Sequence, residues 1–478
     1  MVPGSPPLDD AGAVDDPTDG ADRSSGGPNY LARRAIAVLG AVAVVAAGAI
    51  VVGQLIGDDS GGGSTSSGAV DAEWDTFVLV DERTDDVVLL DEDGSELDRR
   101  TTGVRAPVEA DVAGATLIVR DDERAAIVDV DSDDEPVEVE FASGTAPLVR
   151  APGSANTIIA GSADAERLVM VHGPTGDVLD TDDVTSVAGA RYDTTQTRAD
   201  PSGRNVLVTD AGNFQSVLWS FDRDEPSFFP GLALAIGSDV VVTTQNVGSD
   251  ATISVFRHDG TPVTAARTPA VRAAMVADDG IVLVSVEGEI LALGFDDDEA
   301  ESAETMAIGA IATGNVSVTG DRLIVQGADG VGIVDPSPSI VGQVAGAQPT
   351  TFGLDTNAPH RATCLIVDRD PPGEIVLVDM STGDVVAEAL GTVPAVASAD
   401  GCAALITTDQ GTQYLTVDAV TDLAPTGEVQ AMSPDGAIAV IEDGNRLVAV
   451  PLATSDDGDE ADDTDIGRSG RIVRFIER

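Results

Sequence analysis

The chain has 478 residues, 42% of them hydrophobic, so most of it can fold around a core of its own. Aromatics are only 3%, which leaves Val, Ala, Leu and Ile to do the packing. A formal net charge of −57 argues against nucleic acid and against direct adsorption to anionic lipid, because both run on cationic contacts to phosphate.

Residues 1–34 are rich in Pro, Gly, Asp and Ser, a composition that cannot offset its own ordering entropy; a disordered acidic tail is expected. Ala35–Ile56 follows, AIAVLGAVAVVAAGAIVVGQLI, with no charge and one amide. At about 1.5 Å per residue it is long enough to cross a hydrocarbon core of roughly 30 Å. Arg33 and Arg34 stand before it and Asp58 and Asp59 after it. The positive-inside rule then puts the N-terminus in the cytoplasm and the rest outside, as a single-pass membrane protein. A cleaved signal peptide is the competing reading, although the apolar run is long and starts late for one. Residues 57–73 read as a flexible Gly/Ser linker and residues 74–478 as the folded domain.

From Trp74 onward short β-branched runs come in pairs, such as Phe77–Val80 with Val87–Leu90 and Leu365–Val367 with Ile375–Val378. The runs are too short for helices and are bounded by turn formers, so they read as hairpins. Ten such pairs occur, with a mean spacing of 40 residues between first runs. The turns repeat as well. Asp200-Pro201-Ser202-Gly203, Ser398-Ala399-Asp400-Gly401 and Ser433-Pro434-Asp435-Gly436 precede first runs. Each unit also has room for a small-residue strand before the pair and a fourth strand after it, such as Val385–Leu390. A four-stranded unit with a period near 40 predicts an all-β propeller of about seven to ten blades. Arg471–Ile476 reads as one more strand, which either completes the last unit after an acidic loop (455–465) or closes the ring against the first.

Gly373-Glu374-Ile375-Val376-Leu377-Val378-Asp379-Met380-Ser381-Thr382-Gly383-Asp384-Val385-Val386 resembles bacterial quinoprotein-like and YVTN propeller repeats. Residues 433–440 are similar to TolB-like and WD repeats. The resemblance implies a propeller, probing no further, since that fold hosts enzymes and binding modules alike. With tryptophan only at 74 and 219, and no adjacent cysteine pair, the chain departs from the quinoprotein dehydrogenases, and no cofactor is expected.

Cys364 and Cys402 open apolar runs 38 positions apart, close to one repeat, and read either as a disulfide in an oxidising compartment or as two buried thiols. His172, His258 and His360 sit beside Gly, Asp or Pro and read as surface turn residues. The candidate metal ligands are Asp129, Asp131, Asp133 and Glu140, whose alternate spacing can converge on calcium in a 12-residue loop. Asp134 at the sixth position, where the sharp turn wants glycine, favours a solvated hairpin turn instead. No catalytic motif is present. The expectation is a membrane-anchored, non-enzymatic module whose propeller loops engage a protein or cell-envelope component. An exported propeller-type hydrolase or quinoprotein-like enzyme is the alternative.

Overall fold

The computed structural model describes residues 77–476, apart from 82, 92–93, 185–187, 278, 296–305, 311–315, 320–321, 328–329, 338, 346, 349–362, 370–372, 391, 399, 409–410, 424–426, 453–463 and 469–470. The expected tail, membrane span and linker, together with Trp74, His360 and most of the acidic loop, lie outside the described residues. Among the described residues no helix is long and apolar enough to cross a membrane.

Ten four-stranded antiparallel sheets form a β-propeller. In chain order the blades span 77–101 (one), 109–140 (two), 149–180 (three), 192–230 (four), 232–269 (five), 271–310 (six), 316–345 (seven), 347–390 (eight), 392–422 (nine) and 428–468 (ten). In blades two to ten the strands are hydrogen-bonded in sequence order, from an inner strand to an outer one. Blade one supplies only three strands of its own. Its inner strand is Arg471–Phe475, which pairs antiparallel with Phe77–Asp81 from Phe77↔Phe475 to Asp81↔Arg471. Thr464–Arg468 completes blade ten, so the last strand closes the ring. That pairing covers the strand edge that an open ring would leave exposed at blade one.

The paired apolar runs are the two middle strands of each blade. Thr157–Gly161 and Leu168–His172 of blade three are buried along their whole length. A middle strand has a neighbouring blade on both faces, so it reads as a continuous apolar run. Outer strands face water on one side; Glu96–Thr101 and Val137–Glu140 expose most of their residues. Inner strands are rich in small residues, as in Leu232–Ile236 (LALAI), because blades converge towards the axis and leave little room there. Core clusters sit between adjacent blades: Val78, Val80, Leu117 and Val119 join blades one and two, and Ile159, Met170, Val206 and Trp219 join three and four.

Two faces of the ring follow from this topology. The upper face carries the connections between second and third strands and the crossings from one blade to the next. The lower face carries the connections between first and second strands and between third and fourth. Both ends of the described chain, Phe77 and the Phe475 paired with it, are on the lower face.

The repeated Gly turns belong to the lower face, where those at Gly203 and Gly436 dock on the blade before them. Gly203 has φ +75°, and a Cβ there would lie 2.6 Å from Thr157 Oγ1. Its carbonyl accepts from that hydroxyl at 2.6 Å. Gly436, also at φ +75°, accepts at its carbonyl from the Tyr414 hydroxyl at 2.8 Å. Only glycine combines a left-handed φ with so close an approach.

Candidate interaction face

The residues singled out from sequence fall on the lower face or in blade edges, and they do not assemble into one site. Asp129 ends the third strand of blade two, and its carboxylate accepts from the Asp131 amide at 3.0 Å. Asp131 and Asp133 follow in the turn. Glu140 is opposite Arg124 in the strand register, at the far end of the hairpin from Asp129, and pairs with Arg124 at 2.8 Å. Antiparallel pairing from Arg124↔Glu140 to Ile127↔Val137 keeps the two ends apart. The proposed calcium loop is therefore a correction: these four carboxyl groups do not converge. No group of three or more His, Cys, Asp or Glu able to hold a metal occurs among the described residues.

Cys364 and Cys402 are joined in a disulfide with Cα atoms 5.0 Å apart. Cys364 begins the second strand of blade eight and Cys402 lies in the lower turn of blade nine, so the bond ties neighbouring blades. The amides of Thr363 and Cys364 both donate to the Asp400 carbonyl in that turn.

The reading of the histidines as surface residues also needs correction. His172 is buried, with Nε2 donating to the Ser202 carbonyl at 3.1 Å and Nδ1 2.8 Å from Thr175 Oγ1. It links blade three to the lower turn of blade four. His258 is half-buried, with Nε2 donating to the Gly237 carbonyl at 3.2 Å. Burial holds both imidazoles below their ordinary pKa.

On the inner strands a charged network spans blades one to three. Arg150 donates to Asp111 at 2.7 Å, with both side chains about nine-tenths covered. Arg120 pairs with Glu109 at 2.6 Å, and Arg474 Nε donates to the Ala110 carbonyl at 2.9 Å. Arg150 and Arg474 tie one inner strand to the next, and Arg120, on the second strand of blade two, pairs within its own blade.

The upper face differs. Inner strands of blades four, five, six, nine and ten shift register against their second strands near this end. Such bulges interrupt the strand ladder locally and re-aim side chains. Gln196, Arg272 and Gln430 lie within these shifts. In blade five the two middle strands, Val240–Val247 and Asp250–Arg257, run on past the last pairing of the inner strand at Thr244 and form a longer hairpin.

The second-to-third connections of blades four, five and six each present an apolar side chain to solvent: Phe214 (80% exposed), Val247 (77%) and Val286 (46%). The equivalent connections of blades one and two instead carry Asp81, Asp85 and Asp86, and Asp121, Asp122 and Glu123. Phe214 also has φ +54°. It is one of three non-glycine residues with positive φ among the described residues; the others, Ala106 and Ala165, are on the same face. The buried Asp210 carboxylate holds this turn. Its Oδ1 accepts from the amides of Arg191, Gly212 and Asn213, and its Oδ2 from the side-chain amides of Asn213 and Gln215. Burial first, and then the charge of Asp210, pushes the nearby Tyr192 hydroxyl up to about 12.

None of these upper-face features was anticipated from sequence. The run Asp210-Ala211-Gly212-Asn213-Phe214 reads as an ordinary turn, and only an aromatic beside its Gly-Asn hints at more.

No protein-family model matches the chain, and no curated protein matches it. In structure it is similar to BamB from Moraxella catarrhalis, with a TM-score of 0.35 and 13% identity over 65% of this chain and 94% of that one. AztD from Citrobacter koseri gives a TM-score of 0.38 and 12% identity over 84% and 97%. The dihydro-heme d1 dehydrogenase NirN, in complex with DHE, gives 0.38 and 14% over 86% and 78%. At this level of similarity none of them says what this chain binds.

Proposed function

We propose that the protein is a non-enzymatic binding module whose propeller engages a protein or cell-envelope component through its upper face. The observation that carries this reading is the run of exposed apolar tips, Phe214, Val247 and Val286, on three consecutive blades at one end of the ring. Exposed apolar side chains on the same connection of adjacent blades are the kind of surface that interaction sites use. Both ends of the described chain lie on the opposite face, so neither obstructs this one. The two described histidines are occupied in structural hydrogen bonds, which favours binding over acid–base chemistry.

In the same reading Ala35–Ile56 anchors the chain in a membrane and holds the propeller on the outer side. The test is crosslinking on intact cells with the full chain tagged at its C-terminus. One dominant partner that requires residues 74–476 is the expected result, and background proteins alone would overturn the binding role. A tag that external protease removes from intact cells supports the outward placement; a protected tag would overturn it.

A further inference from the structure

We infer that Phe214 is a pre-positioned aromatic anchor for a folded protein partner that offers an apolar socket with a basic margin, with Val247 and Val286 extending the contact. The inference rests on the binding reading above and adds the anchor and the chemistry of the partner.

Two independent features single out Phe214. It is the most exposed large hydrophobic residue described, at 80%. It also occupies the left-handed region, at φ +54°, where a bulky side chain is an outlier. Five hydrogen bonds to buried Asp210 hold the turn in that conformation. Glycine would meet the backbone requirement without strain, so the aromatic ring is kept at a cost to the fold. An aromatic carried on a fixed backbone turn loses only its own side-chain freedom on docking, and aromatic residues are enriched among interface hot spots.

Charge selects the occupant. Asp250 stands at the tip that carries Val247, and Glu287 and Glu289 flank Val286, all three exposed. Arg267 and Arg272 are exposed on the same blades, so the close-range rim is mixed. The long-range field of a chain with net charge −57 then decides. It repels an anionic membrane surface and a second copy of the chain, and it steers a basic partner inward.

The test replaces Phe214 or Val247 with the photocrosslinker p-benzoylphenylalanine in the full chain in its native cells. Val137 and Val420, exposed on outer strands of blades two and nine, are the controls. One protein crosslinked at both arc positions and at neither control is expected, with Lys- and Arg-rich sequence around the crosslinked peptide. Raising NaCl from about 50 mM to about 500 mM should lower the yield, since screening shortens the attraction. With the crosslinker at 247, Phe214→Ala should cut the yield about tenfold, while Phe214→Trp retains it. Phe214→Gly should also lose the crosslink while leaving Tm unchanged or raising it by about 1 °C. Crosslinks to lipid or to a second copy would overturn the inference, as would equal yields at the controls or a yield indifferent to Phe214→Ala. A partner that crosslinks only outside the arc overturns the role of Phe214 and spares the binding reading. No protein crosslinked at any position overturns both.

Discussion

The two faces of the ring are built by different rules. On the lower face several turns dock on a neighbouring blade. Gly203 sits over Thr157, Gly436 accepts from Tyr414, His172 reaches Ser202, and Cys402 bonds Cys364. A turn that must fit its neighbour cannot vary freely, and this is why the Gly-ended turns recur along the chain. On the upper face the connections vary from blade to blade. Charged tips on blades one and two give way to apolar tips on four to six. Strain follows the same division, for the three described non-glycine residues with positive φ are all on the upper face. Regularity marks the face that assembles the ring, and irregularity marks the opposite face.

Substitutions sharpen that division, beginning with those that should loosen the ring. Asp111→Ala leaves the Arg150 guanidinium buried without its carboxylate between the inner strands of blades two and three. It should cost about 3–5 kcal/mol, read by urea denaturation. Replacing Cys364 and Cys402 together by serine frees the joint between blades eight and nine. About 2–4 kcal/mol should be lost, and reducing agent should produce the same loss in the parent chain and none in the variant. Gly203→Ala forces a Cβ against Thr157 and Ser154 at a left-handed φ, for an expected loss of about 1–2 kcal/mol. A free energy unchanged by this substitution would break the argument that the lower turns are set by docking.

The smallest expected effect is a pH dependence. His172 is held neutral by burial, so its folded pKa is below its unfolded one. The unfolded chain then takes up the proton more readily. The contribution of His172 is present above the ordinary value of about 6.5 and is lost as pH falls below it. Tm should therefore fall less for His172→Gln than for the parent between pH about 7.5 and about 5.5. Equal slopes would show that the buried ring does not report on the lower face.

Hydrophobic patterning made the middle strands legible, because a strand covered on both faces must be apolar at every position. The pairs Phe77–Val80 with Val87–Leu90 and Leu365–Val367 with Ile375–Val378 fall on observed middle strands. Outer strands such as Val385–Leu390 were legible only from the spacing, since one face is solvated. The spacing of Asp129, Asp131, Asp133 and Glu140 could not place Glu140, because strand register rather than loop curvature sets its position. The local neighbours of His172 misled, because its burial comes from Ser202 in the next blade.

The sequence by itself determined the repeat, its period, the glycine turns and the apolar middle strands, all consequences of local geometry and two-sided burial. Tertiary structure alone decided that the repeats number ten in one ring and that Arg471–Phe475 closes it on Phe77–Asp81. It alone placed Phe214, Val247 and Val286 on one face. Ring closure and shared faces join residues tens to hundreds of positions apart, and no local pattern records which distant edge a strand will meet.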